Sequence, residues 1–369
     1  FFILAGNLMA AGGISQRLVK LANTLVGRMT GGLAIVSVLA GMFFAAISGS
    51  GAATTAALGS ILIPSMVNKG YNKEFATTIQ ATSGAIGIII PPSVPLVLYG
   101  IGGGVSIGDL FLGGFGPGIL IGISLMTVAY FISKKEGYGN EKPATLSEIG
   151  AAFKDAYLAL LMPIIILGGI YSGVFTPTEA AVVAVVYGFV VGTLIYKELN
   201  WKNLNEILTA SVITTAIIMF IIGSAALFGL VLTRERIPQE IATWLLSISN
   251  SPWVILMMIN VFLLIIGTFM ETAAAIIILT PILVPIILAA GIDPVHFGII
   301  MITNLGIGLV TPPIGINLYV ASNIAGAKME MVIKRTVPFL IAMIISLVLI
   351  TYVPQISLWP IEFINNFIK

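Results

Sequence analysis

Apolar runs of about 18 to 22 residues, each long enough to cross roughly 30 Å of hydrocarbon, recur from one end of this chain to the other. A backbone held at that depth must satisfy its polar groups within helices, because the short alternating segments of a membrane barrel are absent. The composition agrees: 58% of the 369 residues are hydrophobic and 9% charged, and the mean hydropathy is +1.10. The sequence therefore reads as an all-α polytopic membrane protein forming one membrane domain over 1–369. It contains no cysteine, which removes disulfides and thiolate chemistry, and its near-balanced charge leaves no footprint for nucleic acid. Phe1 opens on "FFILAGNLMAAGG", which reads as a membrane helix already under way and leads us to expect missing N-terminal sequence.

The chain repeats itself. Pro91-Pro92 and Pro312-Pro313 stand 221 residues apart. The same offset places Ala52-Ala53 on Ala273-Ala274, Leu58 on Leu279, Pro64 on Pro285, Gly70 on Gly291, Thr82 on Thr303 and Gly87 on Gly308. Each copy is preceded by an amphipathic stretch, 14–29 and 236–250, of the kind that lies in a membrane interface. Lysine and arginine give the hand of the repeat. If Arg28, Lys69 and Lys73 are cytoplasmic, alternating spans put Arg17, Lys20, Lys134, Lys135, Lys142, Lys154, Lys197, Lys202, Lys328, Lys334 and Arg335 on that side. Only Arg234, Arg236 and Lys369 remain outside, so the second copy opens to the opposite face. Inverted-topology repeats of this kind belong to secondary transporters, whose sites lie near the midplane.

Within each copy two interruptions stand out. "SGSG" at 48–51 sits between two half-length apolar pieces and reads as the tip of a re-entrant helical hairpin, with Thr268–Thr272 as its mirror. Each proline pair predicts a proline-broken helix, freeing carbonyls near Gly87–Pro92 and Gly308–Pro313. Hard oxygen ligands without a carboxylate cluster suit a monovalent cation, and two sodium ions, one per repeat, follow. Close helix packing is the competing account of such small residues. Glu271 is the one acidic residue placed at membrane depth, where carboxylates are costly and usually functional. His296 is expected at an interface, as are Trp201, Trp244, Trp253 and Trp359.

Several motifs carry a family resemblance: "FFILAGNLM", "SGSGAATTAALGSILIPSM", "IGIIIPPSVPLVLYG", "GGIYSGVFTPTEAAVVAVVYG" and "LGIGLVTPPIGINLYVAS". Over essentially the whole chain they resemble the large membrane subunit, the M or DctM-like subunit, of tripartite ATP-independent periplasmic (TRAP) transporters. That resemblance implies an elevator-type fold of the ion-transporter superfamily, in which a transport domain bearing both hairpins slides against a scaffold. It implies sodium-coupled uptake of an organic acid, such as a C4-dicarboxylate or sialic acid, across the bacterial inner membrane, with no cofactor beyond the coupling ions. The implied partners are a small four-helix membrane subunit, a periplasmic substrate-binding protein and the lipid bilayer. Carried over by position, the first sodium site uses Ser48, Ser50, Gly87, Ile90 and Pro92, and the second Thr268, Met270, Gly308, Thr311 and Pro313. Substrate is expected near Thr54, Ser83, Glu271 and Asn304.

The corresponding domain plan has interfacial arms at 14–29 and 236–250, and transport repeats at 32–104 and 252–326. Mainly scaffold helices are expected over 117–232, with a terminal scaffold helix over 337–357. An intramembrane protease fits poorly: His296 is expected at the interface opposite Ser48 and Ser50, and Asp109, Asp155 and Asp293 fall in predicted loops. A primary pump would need a G-x-x-x-x-G-K-[ST] loop, which the sequence lacks. The protein is therefore read as a transporter and not an enzyme; a sodium-selective channel, or a sodium/carboxylate symporter working without a binding protein, are the alternatives.

Overall fold

The computed structural model describes residues 1–139, 143–249 and 251–368, and every regular element among them is helical. Lys142, Asn250 and Lys369 lie outside the described residues. The helices are α1 (Phe2–Ala11), α2 (Ile14–Val26), α3 (Gly32–Ser48), α4 (Gly51–Asn68), α5 (Lys73–Ala85), α6 (Val94–Gly103), α7 (Ile107–Glu136), α8 (Leu146–Tyr171) and α9 (Pro177–Val190). They continue as α10 (Trp201–Arg234), α11 (Ile237–Ile248), α12 (Pro252–Phe269), α13 (Thr272–Ala289), α14 (Pro294–Gly308), α15 (Ile316–Ala325), α16 (Met329–Tyr352) and α17 (Gln355–Ile368). Among the described residues seven helices are long and apolar enough to cross a membrane, and the chain is a multi-pass membrane protein.

The repeat is structural as well as sequential. Displaced by the 221 residues that separate the proline pairs, α4 falls on α13 from first residue to last, and α5 and α14 start together. α7 displaced in the same way starts within one residue of α16 but runs past its end, so the duplication extends beyond the stretch that sequence identity marks.

Two helices serve as rulers for the hand of the repeat. At one end of α16, Thr78 of α5 donates to the Val332 carbonyl at 3.2 Å. At the other, Asn260 of α12 reaches the Thr351 hydroxyl at 2.9 Å, and Tyr352 donates to the Trp253 carbonyl at 3.1 Å. Val332 and Thr351 lie 19 residues apart on one helix, about 28 Å of rise. α7 repeats the measurement, touching Gly298 through Leu110 near its start and ending beside Tyr138, whose hydroxyl accepts from the Asn72 amide at 2.9 Å. The mouths of the two hairpins therefore open on opposite ends of membrane-length helices, and the repeats are inverted.

The halves also interlock. Gly51 approaches Asn317 and, two turns on, Gly59 approaches Ile324, so α4 runs alongside and parallel to α15. α13 lies on α6 in the same way, with Thr280 against Gly102 and Gly103. Each hairpin's second helix is thus covered by the post-proline helix of the other repeat.

Apolar packing divides into two main bodies. One unites α3 to α7 with α12 to α16, through residues such as Val38, Phe75, Tyr99, Phe111, Phe297 and Phe339. The second joins α1, α2, α8 and α9 to the opposite face of α3 and α4, through Met9, Leu18, Val36, Phe44, Leu58 and the Ala152, Ala156, Ala159 stripe. α7, expected among the scaffold helices of 117–232, and α16, expected as the terminal scaffold helix of 337–357, both pack against the broken helices. Hydropathy reports that a run crosses the membrane, not which neighbours it meets. The terminal segment is two helices rather than one, because Pro354 cannot continue α16 and α17 begins after it.

The first amphipathic arm is fixed by charge. Arg17 of α2 donates to the Gly13 carbonyl at 2.6 Å, meets Glu198 at 3.0 Å and Asp155 at 3.4 Å, and lays its guanidinium 3.7 Å above the Tyr196 ring. Lys20 adds a 3.2 Å contact to Asp155, so α2 is held to α8 and to the turn after α9.

Asn68 and Ala289, paired by the repeat and both exposed, report the inversion directly. In a chain without native cysteine, Asn68→Cys and Ala289→Cys should react with an impermeant thiol reagent from opposite sides of the membrane. Labelling of both from one side would refute the inverted arrangement.

Candidate functional site

Each hairpin tip is built from local backbone chemistry. Gly49, with φ of 59°, reverses the chain after α3 in a conformation that favours glycine. Ser50 is extended and caps α4, its hydroxyl accepting from the Ala53 amide at 3.4 Å. Thr54 closes the turn by donating to the Ser50 carbonyl at 2.8 Å and sharing a 2.7 Å hydrogen bond with the Ser48 hydroxyl. In the second hairpin Met270 and Glu271 are extended, and the Glu271 carboxylate caps α13 by accepting from the Ala274 amide at 3.1 Å.

α5 stops at Ala85 and gives way to a 3₁₀ turn over Ile86–Ile88. Pro91 and Pro92 supply no amide proton, and Ser93 donates instead to the Ile88 carbonyl at 2.6 Å. α14 similarly ends at Gly308, just before its own proline pair.

A cavity of about 300 Å³ lies between the two tips. Ser48, Gly49, Ser50 and Gly51 line it from one side and Glu271 and Thr272 from the other, with Ile88 and Val94 flanking the first proline break. α1 closes a wall with Gly6 and Asn7, and α10 another with Thr214 and Ile218. Asn7 donates to Ser211 of α10 at 2.9 Å, tying those two walls together.

Of the first proposed ion set, Ser48, Ser50 and Gly87 come together with Thr54: a Cβ added to Gly87 would lie 2.6 Å from the Thr54 hydroxyl and 2.7 Å from the Ser50 carbonyl. The Pro92 carbonyl stands against Gly49, whereas the Ile90 side chain packs on Gly118 of α7. These are clustered oxygens at a glycine-cleared approach, the donor type a small hard cation requires. Among the described residues no group of three His, Cys, Asp or Glu gathers in a metal-binding arrangement.

The second set is arranged differently. Gly308 packs against the backbone of Gly267, next to Thr268. The Thr268 hydroxyl donates to the Ile265 carbonyl at 2.8 Å and the Thr311 hydroxyl to the Ile307 carbonyl at 2.7 Å. Met270 is half-buried and Pro313 is exposed.

The residues expected near substrate separate. Glu271 lines the cavity, and Thr54 stands directly behind the first tip. Ser83 and Asn304 do not line it. Ser83 is fully buried against Gly41 of α3, with its hydroxyl donating to the Gln80 carbonyl at 3.1 Å. Asn304 is fully buried too and donates to Asn260 of α12 at 2.6 Å. Both equivalent positions face their own hairpin's first helix rather than the space between the halves. His296, expected at an interface, is 3% exposed and lies 3.3 Å from the Thr351 carbonyl. Asn7, Thr214, Asn260 and Asn317 escaped the sequence reading, although each is a polar residue inside an apolar helix and carried that signal.

Inverted hairpins, broken helices and a cavity between two tips define a membrane permease fold. Residues 1–356 match the family described as "Tripartite ATP-independent periplasmic transporter, DctM component", and the chain belongs to that family. It is 49% identical over 97% of its length to the isethionate TRAP transporter permease protein DctMQ of Oleidesulfovibrio alaskensis, of which it spans 57%. It is 46% identical to the C4-dicarboxylate TRAP transporter large permease protein DctM of Pseudomonas aeruginosa, and 44% identical to the sialic acid TRAP transporter large permease protein SiaM of Vibrio cholerae. Each of those matches covers 97% of this chain and 84% of the relative. The fold is similar to that of the YdaH transporter of Alcanivorax borkumensis, with a TM-score of 0.65 at 15% identity over 98% of this chain and 85% of that one.

The close approaches at the breaks set a measurable expectation. A Cβ at Gly308 would meet the Gly267 carbonyl oxygen at 2.4 Å, a backbone contact that no side-chain rotation relieves. Gly308→Ala should cost about 1 to 3 kcal/mol. Gly102→Ala meets only the Thr280 methyl at 3.4 Å and should stay within about 0.5 kcal/mol. Unfolding of the two purified variants in detergent orders them; equal stabilities would contradict the packing described.

Proposed function

We propose that this chain is the large membrane subunit of a sodium-coupled transporter that takes up an organic acid across the bacterial inner membrane by alternating access. The observation that carries the reading is the oxygen cluster at the first tip, Ser48, Ser50 and Thr54 beside Gly87, on a cavity shared with the second tip. Sodium would be held there by serine hydroxyls and tip carbonyls. In the mirrored copy, Gly308 and the extended Met270 segment would supply carbonyl oxygens. The negatively charged substrate would sit between the tips, facing the amino ends of α4 and α13, which favour anions.

The relatives' names cover isethionate, C4-dicarboxylates and sialic acid, all acids. A small acid carried with sodium fits a cavity of about 300 Å³. The family description is tripartite and periplasmic, which supports a small four-helix membrane subunit and a periplasmic substrate-binding protein as partners. The two packing bodies support an elevator motion. The hairpin-bearing body would slide along the face where α3 and α4 meet α1, α2, α8 and α9, with the Arg17 cluster holding the arm still.

The test is initial uptake into proteoliposomes at varied sodium, with the partner subunit present and the binding protein saturating. Ser48→Ala/Ser50→Ala removes two hydroxyl oxygens while preserving small side chains. The half-saturating sodium concentration should rise by roughly five- to 150-fold for each oxygen that matters. Unchanged sodium dependence and maximal rate would reduce the tip to a packing surface.

A further inference from the structure

The two halves differ inside. Thr55, Gln80 and Asn317 are fully buried where α4, α5 and α15 meet. Their repeat mates are Ile276, Met301 and Leu96, so the equivalent region of the other half is apolar at all three positions. The other half keeps one buried hydroxyl in its equivalent seam, Thr280, the mate of Gly59, so the first half is the more polar of the two rather than the only polar one.

Two of these side chains are not satisfied by protein. Neither amide atom of Gln80 has a hydrogen-bond partner, and the Asn317 Oδ1 has none. Buried amides inside a membrane domain are costly without partners, and such groups ordinarily meet ordered water or line a wet passage. Their positions form a line. Asn317 lies beside Gly51 at the first tip, donating to the Ala81 carbonyl at 3.2 Å. Thr55 follows, packed on Gly84 and donating to the Gly51 carbonyl at 2.9 Å. Gln80 comes next, against Gly59, where a Cβ would stand 3.2 Å from its Cγ. The line ends at the mouth of the first hairpin, where Lys73 donates to the Gly326 carbonyl at 3.2 Å.

We propose that the seam between α4, α5 and α15 is a hydrated passage for a small cation, joining the first tip to the mouth of its own hairpin without crossing the cavity between the tips. Asn317 and Gln80 supply oxygens along it, and waters complete their hydrogen bonds. The destination at the tip rests on the sodium reading above; the wetness of the seam does not. Glycine at positions 51 and 59 lets α4 come close to its neighbours in the seam, Gly51 to Leu309 and Asn317 and Gly59 to Gln80 and Ile324. An ion leaving this way could exchange with the mouth while the substrate cavity stays closed.

The absence of native cysteine makes the test direct. Gln80→Cys and Met301→Cys are compared, in the transporter complex, for reaction with a small methanethiosulfonate cation applied from the mouth of the first hairpin. A thiol in water ionises and reacts, whereas one in an apolar packing does not, so Gln80→Cys should label at least about tenfold faster. Sodium should slow labelling of Asn317→Cys, which stands at the tip. Equal, slow labelling at 80 and 301 overturns the passage, and fast labelling at 317 that ignores sodium overturns its connection to the ion. Gln80→Met, which installs the mate's side chain, keeps the result interpretable: it should fold, leave the half-saturating substrate concentration unchanged and slow sodium-dependent turnover severalfold. Unslowed turnover in that variant also overturns the passage. If Gln80→Cys labels while wild-type uptake is indifferent to sodium, the sodium reading fails and the wet seam stands. If uptake follows sodium and the seam is dry, only the passage fails.

Discussion

Hydrocarbon offers no hydrogen bonds, and every departure from regular helix in this protein has to be satisfied by the protein itself. Four such departures meet near the centre: two hairpin tips and two proline breaks. Ser50 and Glu271 cap the helices that leave the tips, Thr54 closes on the Ser50 carbonyl, and Ser93 takes the Ile88 carbonyl that the proline pair leaves free. Around these points the backbones come close, as at Gly308 against Gly267, because added side-chain bulk would separate groups that must remain together. The interlocking of α4 with α15 and of α13 with α6 then ties each hairpin to the broken helix of the other half.

Side-chain relief differs between the two packing bodies. Within the hairpin-bearing body large side chains interdigitate, Phe75 near Phe339 and Tyr99 near Phe297. Where α8 meets that body's neighbours, Ala152, Ala156 and Ala159 present a shallow relief. Interdigitated surfaces resist shear, whereas shallow ones permit it. That shallow relief lies inside the second body, whereas the boundary along α3 and α4 carries Val36, Phe44 and Leu58.

The sequence carried the hairpins, the breaks and their pairing, because glycine and proline change the backbone itself and their positions survive duplication. It carried less about side-chain neighbours. Ser83 and Asn304 occupy one repeat position, and equivalence of position fixes which way both point relative to their own hairpin, not that they point toward each other. The spans at 117–133 and 337–353 read as scaffold on hydropathy alone, and an apolar helix looks alike to lipid and to a protein core. Asn317 was legible in principle: set against Leu96, it is a polar residue whose mate is apolar, and only the comparison of the two halves exposes it.

The exchange of covers between halves also governs how the protein is made. Gly51 at the first tip is sheltered by Asn317, which follows it by 266 residues. At ribosomal speeds of roughly 5 to 20 residues per second, the first hairpin therefore waits on the order of 13 to 50 seconds for its cover. Throughout that interval its polar tip and the glycine-lined face of α4 are without their native neighbour, while α6 awaits α13. The nascent first half is thus a client for the insertion machinery rather than a finished module, and its native packing forms only after most of the second half has followed it into the bilayer.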